Sequence, residues 1–182
     1  MIYEFLANGF EDIEALAPVD ILRRGGLDVR TVSITGSEFV ESAHGVTVRA
    51  DVTFEEVGDF SDADMLLLPG GMPGAMHLKL HDGVRAAVLA QAQRGGHIGA
   101  ICAAPMVLGS LGLLQGRKAT CYPGCETGMG SANMIPGQAV VRDGNLITGT
   151  SAGCAIPFGL ALVEALKGEE TAKAVGAEIV IR

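Results

Sequence analysis

His97-Ile98-Gly99-Ala100-Ile101-Cys102-Ala103-Ala104-Pro105 is an apolar run of strand length that ends on a cysteine and continues into small residues. A run this short and uninterrupted reads as a strand buried on both faces, the habit of a parallel sheet. A helix is predicted to follow it, from Ala103 to about Leu114.

Upstream, Ala63-Asp64-Met65-Leu66-Leu67-Leu68 has the same character and stops at Pro69-Gly70-Gly71, while Ile2–Leu6 reads as a third buried strand. Asp12–Gly25 carries a helical pattern, with Ile13, Leu16, Ala17 and Ile21 on one side and Gly25-Gly26 as its stop. Leu27–Ile34 is a further strand. Val46, Val48, Ala50 and Val52 alternate with polar residues, as a half-exposed strand would. Asp82–Arg94 reads as a helix closed by Gly95-Gly96, and Val140–Ile147 as a hairpin around Asp143-Gly144. Ala155–Leu166 and the segment from Glu169 read as closing helices, whereas Gly124–Val140 has no clear pattern. Strands alternating with helices predict an α/β architecture, a mostly parallel central sheet with helices on both faces. Its functional crevice lies beyond the carboxyl ends of the strands.

The 182 residues show no internal repeat and no linker, so one domain over 1–182 is expected. With 13 basic residues against 21 acidic ones and a net charge of −8, a nucleic-acid partner is disfavoured. No apolar run approaches the roughly 20 residues that span a bilayer, so no membrane partner is expected. Met1–Leu6 carries a charge and no basic leader, unlike a signal peptide. The four cysteines (102, 121, 125 and 154) are therefore expected as free thiols in a reducing cytoplasm.

If the sheet is parallel, three loops converge on one side. Cys102 sits where a strand turns sharply into a helix, the place of a nucleophile elbow, where a helix N-terminus lowers a thiol pKa. The same position also suits a small buried hydrophobe. Gly70-Gly71 can offer unhindered backbone N–H groups to an oxyanion or can simply form a turn. Glu11, Asp12 and Glu14 suit a helix start electrostatically. Glu14, beside the apolar stripe, is also placed to have a raised pKa and to hydrogen-bond a thiolate. No dinucleotide or phosphate-binding glycine motif occurs, and Cys121 and Cys125 lack further ligands for a metal, so no cofactor and no metal are expected.

Four segments, in order, resemble the ThiJ/PfpI superfamily, and most closely its branch containing the parkinsonism-associated protein deglycase. They are Gly9–Glu14 with Pro18–Gly26, Leu68–Gly71, Ala100–Pro105 and Phe158–Leu166. The resemblance implies a flavodoxin-like sandwich, a homodimer, and a cysteine and glutamate sharing a hydrogen bond, here Cys102 and Glu14. It also implies deglycation of glyoxal and methylglyoxal adducts or cofactor-free glyoxalase activity. Redox sensing or holdase chaperoning is the non-enzymatic alternative. Gly71 and Ala103 would then steady the oxyanion with their backbone N–H groups. Two departures stand out. Ala103 follows the cysteine and Tyr122 takes the loop position where many members carry histidine, so a Cys-His-acid protease is disfavoured. Cys121, in the loop that packs near the nucleophile in relatives, is a candidate resolving thiol for an oxidised Cys102.

Overall fold

Four apolar strands form the centre of the sheet because their side chains alternate between two helix-covered faces and neither face needs to be polar. In the computed structural model, which describes residues 1–181, the chain runs β1 (Ile2–Leu6), α1 (Asp12–Arg24), β2 (Val29–Ser33), β3 (Phe39–Glu41), β4 (Thr47–Arg49), β5 (Val52–Thr53) and α2 (Phe54–Val57). It continues through β6 (Met65–Leu68), α3 (Gly74–Leu80), α4 (Asp82–Gln93), β7 (His97–Ile101), α5 (Pro105–Ser110), β8 (Lys118–Ala119), β9 (Asn133–Met134), β10 (Val140–Asp143) and β11 (Leu146–Gly149). It closes with α6 (Ala155–Lys167) and α7 (Glu169–Glu178).

The main sheet has the order β10-β11-β7-β6-β1-β2-β5, with every pair parallel except β10 against β11. The expected α/β class and mostly parallel sheet are therefore present. On one face Tyr3, Phe5, Leu66, Leu68 and Ile98 meet Leu78, Val84, Val88 and Val107. On the other Ile2, Met65, Leu67 and Ile147 meet Val19, Leu22, Phe158, Leu162 and Val175. Each fully buried side chain of this size contributes about 1.5–3 kcal/mol, so both layers are needed to hold the sheet. Helices α1 and α6 lie side by side, and Gly159 lets Ile21 pack directly on the α6 backbone.

Three expectations are corrected. The alternation from Val46 to Val52 is not one strand. β4 pairs antiparallel with β3, whereas β5 joins the edge of the main sheet beside β2. The break falls at Asp51, whose carboxylate accepts from Thr31 N, Thr31 Oγ1 and Arg23, pinning the chain where the period-2 pattern runs on. The helix after Cys102 is short, because residues 102–104 are spent on the turn and the helix ends at Ser110, just before the positive φ of Gly112. Finally, Ile13 and Leu16 are 53% and 41% exposed, and α1 instead buries Glu14, Ala15, Pro18, Val19, Ile21 and Leu22. The apolar stripe on α1 has two sides, and the sheet takes the one that includes the glutamate. The patternless stretch contains β9, which pairs parallel with β8, and a turn of 3-10 helix at Glu126–Met129.

Candidate active site

β11, β7, β6 and β1 are adjacent and parallel, so their carboxyl ends open side by side. The loops after β1, β6 and β7 converge as expected. The loop after β11 is a fourth wall that the sequence pattern does not signal.

Cys102 adopts a left-handed backbone conformation with φ of 64°, one of two non-glycine residues among those described to do so. Such a conformation costs on the order of 1–3 kcal/mol and persists only when its surroundings impose it. Here Cys102 N donates to Gly149 O at 2.9 Å, and Cys102 O accepts from Tyr122 N at 2.8 Å. Gly70 presses from the β6 side: a Cβ there would meet Cys102 Cβ at 2.6 Å and also collide with the Glu14 carboxylate. Gly71, with φ of 87°, has no room for a side chain either, since a Cβ would strike the backbone of Gly9, Phe10 and Glu11.

Glu14 is 1% exposed, and its Oε2 accepts from Gly70 N at 3.1 Å. Oε1 is buried without a conventional hydrogen-bond partner. Burial pushes the Glu14 carboxyl up to about 7; the Cys102 thiol opposes this by hydrogen bonding, Glu11 adds to it, and the N–H groups of Gly70 and Ala152 oppose it. Burial, and then the neighbouring Glu14 carboxylate, push the Cys102 thiol up, while the backbone N–H groups of Gly71 and Ala103 pull it down. The expected helix-driven lowering is thus outweighed. Helix α5 has only six residues and starts at Pro105, three positions beyond the sulfur, so its dipole is weak. The two groups titrate as a coupled pair. Repulsion exists only while Glu14 is ionised; once it is protonated, the thiolate keeps the two N–H groups and loses its anionic neighbour.

The structure therefore brings together Cys102, Glu14, Gly71 and Ala103. Tyr122 reaches them through its backbone amide, with its ring on the exposed side. Cys121 is buried and pushed up to about 11, first by burial and then by Glu126 and Cys125. Ala152 is the site residue missed from sequence, because a backbone N–H leaves no residue-type signal. Three of the four histidines are occupied elsewhere: His44 bonds Asp12 at 2.7 Å, His77 bonds Asn8 O at 2.9 Å and His81 caps α4 at Val84 N. His97 opens β7, at the opposite end from Cys102.

A cavity of about 340 Å³ is lined by Asn8 and Gly9 from the loop after β1, Met72 and Pro73 from the loop after β6, and Glu41, Ser42 and Ala43, with neither Cys102 nor Glu14 among them. A larger groove of about 620 Å³ between α6 and α7 has neither Cys102 nor Glu14 in its lining, so volume does not mark the chemistry. Glu11, Asp12 and His44 bring possible ligand atoms within 4.8 Å of one another, and Asp12 and His44 are bonded to each other at 2.7 Å.

A cysteine on a strained strand-to-helix elbow, opposed by a buried carboxyl, defines a cysteine-bearing protein of the flavodoxin-like α/β class. The sequence profile of the DJ-1/PfpI family matches residues 1–165, and the chain belongs to that family. It is 36% identical over 178 residues to protein DJ-1 homolog B of Arabidopsis thaliana, covering 97% of this chain but only 40% of that longer protein. It is 35% identical over 179 residues to the Parkinson disease protein 7 homolog of Danio rerio, covering 97% of this chain and 95% of the relative. Deglycase PH1704 of Pyrococcus horikoshii is 34% identical over 143 residues, 78% of this chain and 84% of its own length. The solved structure of Drosophila melanogaster DJ-1beta aligns with a TM-score of 0.95 at 32% identity, covering 100% of this chain and 97% of that one. Among the described residues, no helix is long and apolar enough to cross a membrane.

Proposed function

We propose that the chain is a cofactor-free, cysteine-dependent deglycase or glyoxalase-type enzyme acting on small reactive carbonyls or their glycated adducts. The observation that carries this reading is the elbow itself. Cys102 meets a protonatable Glu14 on one side and the N–H groups of Gly71 and Ala103 on the other. A similar relative named a deglycase agrees with it.

In the active microstate Glu14 holds the shared proton and Cys102 is the thiolate. The sulfur attacks the carbonyl carbon, a carbon–sulfur bond forms, and the carbonyl π pair moves to oxygen. Backbone N–H groups of Gly71 and Ala103 stabilise that oxyanion, and Glu14 donates its proton to the oxygen. With a glycated amine the carbinol first loses its O–H proton, the carbonyl re-forms, and the carbon–nitrogen bond breaks as the amine takes up a proton. With methylglyoxal, the Glu14 carboxylate then takes the carbinol C–H proton and returns it to the neighbouring carbon, leaving a thioester. Water cleaves the carbon–sulfur bond to give the 2-hydroxy acid, and the pair regains its shared proton. The raised carboxyl takes the part that histidine plays where a Cys-His pair is present.

The protein acts as a homodimer in this reading. Ile13 and Leu16 on α1 and Ile156 at the start of α6 are large, apolar and exposed around the residue that carries the site. A reducing cytoplasm suits its four free thiols. The test is turnover of methylglyoxal and of a glycated amino acid by wild type, Cys102→Ser and Glu14→Gln. Equal rates in all three would discard the proposal.

A further inference from the structure

Tyr122-Pro123-Gly124-Cys125 closes as a tight turn. Cys125 N donates to Tyr122 O at 2.9 Å, and Gly124 in the third place has φ of 97°. Proline second and a positive-φ glycine third are the requirements of a type II turn, whose end residues approach within about 7 Å. The turn reverses the chain directly after Cys121 and brings Cys125 beside Tyr122, the residue next to Cys121. Both side chains pack against the same core cluster, Cys121 within it and Cys125 half-buried at its edge. Cys125 is also among the groups that push the Cys121 thiol up, behind burial and Glu126.

We propose that Cys121 and Cys125 form a second thiol site, a dithiol that is oxidised to an internal disulfide by low-molecular-weight disulfides. This pairing differs from the Cys102–Cys121 link for which the sequence made Cys121 a candidate. Cys102 has its own partners in Glu14, Gly71 and Ala103, whereas the turn supplies Cys121 with a thiol of its own.

The half-buried Cys125 reacts first. Its thiolate attacks one sulfur of the small disulfide, the incoming sulfur–sulfur bond breaks, and one small thiolate leaves and takes a proton from water. The Cys121 thiolate then attacks Cys125 Sγ, an internal sulfur–sulfur bond forms and the second small thiolate leaves. The two protein thiols are oxidised and the small disulfide is reduced to two thiols. Burial raises both protein thiols. The rate should therefore climb about tenfold per pH unit between pH 7 and 8.5, as the thiolate fraction does.

The full chain is equilibrated at pH 8 in glutathione buffers ranging from reduced to oxidised, quenched in acid, alkylated, digested and mapped by mass spectrometry. In the oxidised buffers the peptide bearing Cys121 and Cys125 should carry neither alkyl group and weigh two hydrogens less than the free dithiol. Added reductant should reverse this, and Cys102→Ser should behave as wild type does. In Cys125→Ser, Cys121 should not form that internal link. A Cys102–Cys121 link, a glutathione adduct on Cys125 that never resolves, or full alkylation of both thiols in oxidised buffer would overturn the assignment. Because Cys102→Ser removes the carbonyl chemistry and leaves the dithiol, failure of this site is distinguishable from failure of the proposed enzyme.

Discussion

Glu14 and Glu4 are equally buried, each 1% exposed, and each has a carboxylate oxygen without a conventional hydrogen-bond partner. Burial raises both pKa values. Their surroundings differ. Glu4 sits mid-strand on β1, with only the charge of Arg23 to offset its burial. Glu14 stands past the strand ends, where the Cys102 thiol and the N–H groups of Gly70 and Ala152 face it. The interior of a parallel sheet presents side chains to a carboxyl, because its backbone groups are spent in the ladder. The ends of its strands present unpaired backbone donors as well. Desolvation alone makes a neutral acid; desolvation beside a nucleophile and free N–H groups makes an acid able to exchange a proton.

The largest effect expected from this contrast is at Cys102. Cys102→Ser should lower kcat/KM for methylglyoxal by at least about 100-fold, since a hydroxyl is a far weaker nucleophile at neutral pH. A steady-state assay on the folded variant measures it, and a drop smaller than tenfold would break the comparison at its functional end. Glu14→Gln should cost about 100-fold, within the range of a lost general acid. It should also turn the coupled titration of Cys102 into a single step, read by pH-dependent alkylation. Glu4→Gln should leave that titration unchanged; a shift there would mean that the two glutamates communicate.

Stability separates the pair more finely. Both carboxyls have folded pKa values above the ordinary glutamate value, so each favours the fold fully at low pH and loses that contribution as pH rises toward its folded pKa. Each raised group adds up to about 1.4 kcal/mol per pH unit of lost stability over its own window. For Glu14 that window runs from the ordinary value to about 7. For Glu4 it extends well above the ordinary value. Urea denaturation between pH 4.5 and 8 should show Glu4→Gln and Glu14→Gln each flattening the fall in stability, the Glu14→Gln effect being complete by about pH 7. The smallest effect should come from Tyr122→Phe, within about twofold in rate, because a backbone amide rather than the phenol holds the Cys102 carbonyl.

Much of the architecture was readable in the chain. The runs at Ile2–Leu6, Ala63–Leu68 and His97–Ile101 supplied the central strands, the second of them trimmed to Met65–Leu68, because a strand buried on both faces leaves a contiguous apolar signal. The hairpin at Asp143-Gly144 also formed, with Asp143 opposite Leu146. The alternation at Val46–Val52 misled because periodicity records which residues are apolar and not where Asp51 ties the chain down. The stripe on α1 misled for a related reason. Ile13 and Leu16 look like core residues, but the side of α1 that meets the sheet is chosen by the fit against α6 and the strand ends.

Residue type and local order were enough to place a cysteine at a strand-to-helix turn, a glycine pair at the neighbouring strand end and a glutamate on the first helix, because strands, turns and caps are local in sequence. Only the folded molecule decided which way the protons lean. The upward push on Cys102, the rise of Glu14 to about 7 and the N–H of Ala152 come from groups dozens of residues apart. A pKa depends on the dielectric and charges within a few ångströms, and those neighbours are supplied by tertiary packing.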